Sequence, residues 1–244
     1  MSVNPNMANR EVADLVFKDY KTQKPYFNFD FANVTTTELT SDRVKATGGR
    51  GCPDRIGFDS KRTGTLTIET QITPMKLLAI LAGQDISESA IIPKKEILTS
   101  TTDTDVVITL SETPVENSVY VYAIDDDCGT ALETTVVDDV ITLTSGETDT
   151  KYIVYYMVQK DTGVQSVLFD SKTFPKTFTI DGETLFKTED DELLAMKLIF
   201  YKAQPQSSIK FNFSNSGDPT TMTITCDLYA NDDNKIFEQI LITD

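Results

Sequence analysis

Three stretches of the chain place residue types at spacings that invite chemistry. Asp125-Asp126-Asp127 followed by Gly129 has the carboxylate density of a calcium loop. The glycine comes one place early, however, and no glutamate closes the loop at the required distance, so the stretch has the chemistry of a turn between strands. Gly48, Gly49 and Gly51 suggest a phosphate-cradling loop, but they lack the Gly-Lys-Ser/Thr ending and run into Cys52-Pro53-Asp54 rather than a helix. That pattern belongs to a hinge or turn, and Asn231-Asp232-Asp233-Asn234 likewise reads as a turn. Tyr120, Tyr122, Tyr152, Tyr155 and Tyr156 crowd one region. Aromatic clusters on sheets bind sugars or proteins, although cross-strand packing is the commoner use of tyrosine in a small module.

The chain contains no histidine. That removes Ser-His and Cys-His nucleophiles, His-ligated zinc and any imidazole poised near neutral pH. Carboxylate pairs can still cleave glycosides, but such sites surround the sugar with aromatic platforms, and the chain has no tryptophan. The expectation is a protein that is not an enzyme, with no catalytic residues, no cofactor and no metal. Cys52, Cys128 and Cys226 are far apart and odd in number, which fits reduced thiols rather than a disulfide framework.

Twenty-two basic against 38 acidic residues leave a formal charge of −16. Such a chain repels nucleic acid, anionic membranes and its own copies. Residues 1–20 have neither a basic n-region nor an apolar h-region, so no secretory peptide or membrane anchor is expected and synthesis belongs in a cytoplasm. The richest apolar run, residues 72–82, is interrupted by Thr73, Pro74 and Lys76 and is too short to span a bilayer.

The elements that must position these residues are mostly strands. Period-two alternation marks residues 26–31, 64–72, 177–180, 193–201, 209–213, 221–228 and 237–242. One helix is expected over residues 73–82, with Thr73 capping, Pro74 in the first helical position and Gly83 as the left-handed stop. Its apolar face, Leu77, Leu78, Ile80 and Leu81, requires a sheet or a neighbour to cover it. The fold class is therefore mainly β, a sandwich or barrel with one short helix.

Residues 94–163 differ in character. Short strands at 106–110, 119–124, 140–143 and 152–158 alternate with acidic turns, the spacing of a small immunoglobulin-like sandwich. The economical division is a main domain of residues 1–93 and 164–244, interrupted by an insert at 94–163 with linkers at 92–95 and 160–163. One continuous larger sandwich gives nearly the same pattern.

Residues 41–62 concentrate the basic charge: Arg43, Lys45, Arg50, Arg55, Lys61 and Arg62 among the glycines. In so acidic a chain this flexible stretch reads as an inter-subunit arm lying on an acidic neighbour, or else as a solvated surface loop.

The order of these elements is an N-terminal strand region, a long Gly-rich hairpin-like loop, the strand at 64–72, the single helix and C-terminal strands ending in Met222-Thr223-Ile224-Thr225-Cys226-Asp227-Leu228-Tyr229. With Arg62-Thr63-Gly64-Thr65-Leu66-Thr67-Ile68-Glu69-Thr70-Gln71 before the helix and Gly217-Asp218-Pro219 before the late strand, it resembles the tail tube proteins of tailed bacteriophages. The resemblance covers residues 1–93 and 164–244 and leaves the middle as an extra domain of the immunoglobulin-like kind that many tail proteins carry. It implies homo-oligomeric rings of six copies, stacked into a tube in the virion after assembly in the bacterial cytoplasm. Viral double-stranded DNA would pass through without specific binding, and sheath, tape-measure and baseplate proteins would be neighbours. Residues 41–62 would reach adjacent subunits. The alternatives are a capsid decoration or baseplate protein, and a carbohydrate-binding or adhesin module with Tyr120 and Tyr155 on its binding face.

Overall fold

The computed structural model describes residues 6–102, 105–215 and 217–243. In chain order the elements are β1 (Met7–Asn9), β2 (Asp14–Asp19), β3 (Pro25–Phe29), β4 (Val34–Thr47), β5 (Asp54–Thr70), α1 (Met75–Ala82), β6 (Ala90–Thr99), β7 (Thr101–Thr102), β8 (Val106–Thr109), β9 (Tyr120–Ala123), β10 (Thr134–Val137), β11 (Val140–Leu143), β12 (Lys151–Lys160), β13 (Phe178–Thr188), β14 (Leu193–Pro205), β15 (Met222–Leu228) and β16 (Phe237–Leu241). The protein is mainly β, and α1 is the one α-helix among the described residues. The chain forms two compact units, Met1–Asp85 with Val167–Asp244, and Ile86–Ser166.

In the first unit the strands pair in the order β3-β2-β13-β14-β15-β5-β4, with β1 on β13 and β16 on β14. The long strand β14 serves both layers. Met196 to Phe200 pair with β16, whereas Ala203 to Pro205 pair with β15. The register against β13 shifts between these stretches, the irregularity that lets a strand bend round a corner. Between the layers lie Leu15, Phe17, Phe29, Leu66, Ile68, Ile180, Phe200 and Cys226, all essentially inaccessible, together with Leu77, Ile80 and Leu81 of α1. Phe17 meets the ring of Phe178 edge-on at 5.8 Å, and Phe27 meets Phe29 at 5.8 Å.

The helix stops as expected but starts one residue late. Pro74, not Thr73, is the N-cap, and no side chain caps the first turn. At the other end Gly83 takes φ 70°, its N–H bonding Ile80 O and that of Gln84 bonding Ala79 O. A Cβ on Gly83 would lie 2.1 Å from Phe174 O, so position and conformation both demand glycine.

Two sequence readings fail here. Residues 209–213, expected as a strand, are irregular, with Phe211 against Phe169 at 5.5 Å and Phe213 almost fully exposed. Residues 92–95, expected as a linker, lie inside β6, where Pro93 is opposite Met157. β6 is an edge strand, so proline's missing N–H faces no ladder partner.

The second unit holds two sheets, β10-β11-β8-β7 and β6-β12-β9. Ile108, Val121, Ile141 and Val154 are fully buried and belong to one core to which both sheets contribute. An immunoglobulin order would place the unit's last strand at the edge beside the sixth. Here the unit's last strand, β12, is instead central in its sheet, between the first strand, β6, and β9. Chain entry and exit are held together by Ser87 and Ser166, which exchange backbone hydrogen bonds of 2.9 Å in both directions.

Candidate assembly interface

The basic stretch is not a flexible loop. β4 and β5 pair as a continuous antiparallel hairpin from Val34↔Glu69 to Thr47↔Asp54. The sheet supports only its base, because β15 pairs with β5 no further than Gly64. Residues 41–47 and 54–62 continue outward as two strands alone, and at about 3.3 Å per residue the arm extends roughly 20 Å past that support. Every residue from 41 to 62 is exposed except Gly48, which is intermediate. The tip turns on Gly49 (φ 91°), Gly51 (φ 86°) and Cys52 (φ 46°), closed by bonds from Cys52 N–H to Gly49 O at 3.0 Å and from Gly48 N–H to Pro53 O at 3.3 Å.

The register carries the main feature of the arm. Ser41 lies opposite Arg62 but Asp42 lies opposite Ser60, so Lys61 is an extra residue, a bulge with φ 49°. A second shift, between Ala46↔Ile56 and Thr47↔Asp54, makes Arg55 another bulge. Because side chains alternate with period two, one inserted residue moves everything beyond it to the opposite face. Leu66 and Ile68 point into the core, whereas Phe58 and Ile56, of the same parity in sequence, emerge on the other side opposite Val44 and Ala46. The distal arm thus carries an apolar strip, with Val44 66% exposed, Phe58 59% and Ile56 58%. A two-stranded hairpin with such a strip uncovered is marginal in water.

The opposite face of the arm holds the charges. Arg43 grips Asp59 with both arms of its guanidinium, Nε to Oδ1 at 2.5 Å and Nη2 to Oδ2 at 2.8 Å. That hydrogen bonding holds the Asp59 carboxyl below its ordinary range and raises Arg43. Gly57 leaves room for this side chain, since a Cβ there would be 3.3 Å from Arg43 Cδ. Lys45 pairs with Asp54 at 2.6 Å, and Arg55 Nε donates to Gly48 O at 3.2 Å. Arg62 acts on Asp59 at longer range, while Arg50 and Lys61 have no ion-pair partner among the described residues. The six basic residues share the arm, but two are neutralised within it. The apolar strip, which a reading of charge overlooks, is its larger asset.

Apart from Tyr120, the remaining candidate sites resolve as turns and packing. Asp126 folds back on its own loop, accepting from Thr130 N–H at 2.9 Å, and Asp127 pairs with Lys95 at 2.7 Å. Asn231 Oδ1 accepts from Asp233 N–H and Lys235 N–H, closing the turn before β16. Tyr152 and Tyr156 are buried in the second unit's core; Tyr122 and Tyr155 are half-exposed and Tyr120 is exposed. No group of three potential metal ligands occurs among the described residues, and no helix of theirs is long and apolar enough to cross a membrane.

The model of the YomU/Tube protein family matches residues 10–239. The chain belongs to that family. The family's name points to a structural protein of the phage tail tube, a virion component, in agreement with the resemblance in the order of elements. No curated protein matches the chain.

Proposed function

We propose that the chain is a non-enzymatic tail tube subunit whose copies close into rings of six that stack into a channel for genome ejection. The observation that carries the reading is the apolar strip of the arm. Val44, Ala46, Ile56 and Phe58 face away from their own core, and a neighbouring copy that covered them would remove an exposed apolar strip from water. Edge strands support the same reading. β4 is 14 residues long and ends the sheet at one side, while β3 ends it at the other, so copies can join head to tail and consume both edges. Such heterologous contacts form a ring when the rotation closes.

The charge suits a conduit for a polyanion. A ring of six chains would carry about 96 negative charges before screening, and any part lining the bore repels phosphate, so duplex DNA passes without being gripped. The same repulsion opposes assembly, and apolar burial by the arms must outweigh it. Assembly in the host cytoplasm fits the exposed thiols of Cys52 and Cys128, which need no oxidising compartment. Sheath, tape-measure and baseplate proteins are the neighbours this role requires.

The test is sedimentation over a concentration series, with electron microscopy of the fastest species. Wild-type protein should form rings or tubes, and a chain with residues 42–60 replaced by a short turn should stay monomeric while remaining folded. A wild-type chain that stays monomeric even with an initiating partner present would overturn the proposal.

A further inference from the structure

The second unit holds a groove that the assembly reading does not use. It lies between β9, which ends one sheet, and β10, which ends the other, and has a volume of about 580 Å³. Glu116, Asn117, Tyr120, Thr134, Val136 and Asp138 line it. The turn that carries Glu116 and Asn117 is pinned to the neighbouring strand, with Val115 N–H donating to Met157 O at 2.8 Å and Met157 N–H to Ser118 Oγ at 3.1 Å. Asn117 (φ 58°) and Asp138 (φ 52°) hold left-handed turn positions, so both carry side chains where glycine would be easier to accommodate.

The groove's polar side chains are uncommitted. The side chains of Glu116, Asn117, Tyr120, Thr134 and Asp138 make no hydrogen bond or ion pair with any described residue. Elsewhere in the same unit Lys94, Glu96, Ser111, Glu112, Tyr156 and Lys160 are joined in one network. No lysine or arginine lines the groove, and two carboxylates do. Phosphates, nucleic acid and acidic sugars are therefore disfavoured. Pro114, Val115, Val119 and Val136 also line the groove, but polar atoms make up most of its surface, which suits a polar ligand better than an apolar peptide. What fits is a neutral ligand with many hydroxyls: carboxylates and the amide oxygen accept from them, and the amide nitrogen and Thr134 donate to them. The 54% exposed ring of Tyr120 offers a flat surface for the C–H face of a sugar.

We propose that this groove binds a neutral carbohydrate, with Tyr120 as the stacking platform and Glu116, Asn117, Thr134 and Asp138 as hydroxyl partners. The proposal stands apart from the ring reading. Its experiment applies the full-length chain to an array of neutral and acidic oligosaccharides beside immobilised proteins, then titrates the best neutral ligand by calorimetry. Binding to neutral members is expected, weakened at least tenfold by Tyr120→Ala and by Asn117→Gly; glycine keeps the turn's positive φ and removes only the side chain. Unchanged thermal unfolding of each variant excludes a folding artefact. Blank neutral glycans, preference for acidic ones, or affinity indifferent to both substitutions would overturn the proposal. Binding confined to the immobilised proteins would also overturn it, in favour of a protein partner.

Discussion

Shortening Phe58 to alanine separates assembly from folding. The ring is 59% exposed in the isolated chain and touches the rest of the arm chiefly through its cross-strand neighbour Val44. Removing it should therefore cost the monomer no more than about 0.5 kcal/mol. If a neighbouring copy covers the strip, the exposed share of a phenylalanine, worth about 1.5 kcal/mol of burial, is lost at every joint. That raises the protein concentration needed for assembly roughly tenfold. Phe58→Asp adds an unpaired carboxylate to a dry contact at a further cost of several kcal/mol, about enough to abolish assembly. Sedimentation velocity across a dilution series gives the threshold, and thermal unfolding followed by circular dichroism gives monomer stability. Equal thresholds for wild type and Phe58→Ala, or loss of folding in the variant, would refute the reasoning.

Other consequences follow from individual side chains. Glu96 accepts from Tyr156 Oη at 2.9 Å and from Ser111, and pairs with Lys94 at 3.0 Å. Burial works against its charge, but these partners prevail and hold its carboxyl at about 2. A folded value below the unfolded one stabilises the protein above about pH 4.5 and ceases to do so as pH falls towards 2. Glu96→Gln should cost about 1–3 kcal/mol near neutral pH, and urea midpoints of the two proteins should draw together as pH falls from about 4.5 and converge only towards pH 2. Burial pushes the Cys226 thiol up to about 12, so in native protein an aromatic disulfide reagent should modify Cys52 and Cys128 and spare Cys226 until the chain unfolds. Gly83→Ala places a methyl against Phe174 O in a left-handed backbone and should destabilise the first unit by about 3 kcal/mol in denaturant titrations.

Much of the architecture was legible in residue order. The alternation from Gly64 to Thr70, the apolar face of α1 and the glycine that ends it each specify their local structure by pattern alone. Pattern failed where a single residue changes the geometry. Ile56, Phe58, Leu66 and Ile68 follow one unbroken parity, so reading them as one face is natural. Only the register reveals that Lys61 bulges out and sends the first two to the far side. Residues 41–47 looked like a loop because they carry charges and a threonine rather than a run of β-branched apolar side chains, yet the partner strand holds them extended. Pro93 suggested a linker because proline breaks ladders, but an edge position leaves its missing N–H without consequence. The groove beside Tyr120 was represented in the sequence only by one tyrosine among five. Its other walls come from separate parts of the chain that meet only when the two sheets stack.

The most direct test of the central claim is a cryo-electron microscopy reconstruction of concentrated wild-type protein. The expected map is a stack of closed six-membered rings in which Val44, Ala46, Ile56 and Phe58 of each arm lie buried against a neighbouring copy. An assembly in which those side chains remain in solvent, or a field of compact monomers, would contradict it.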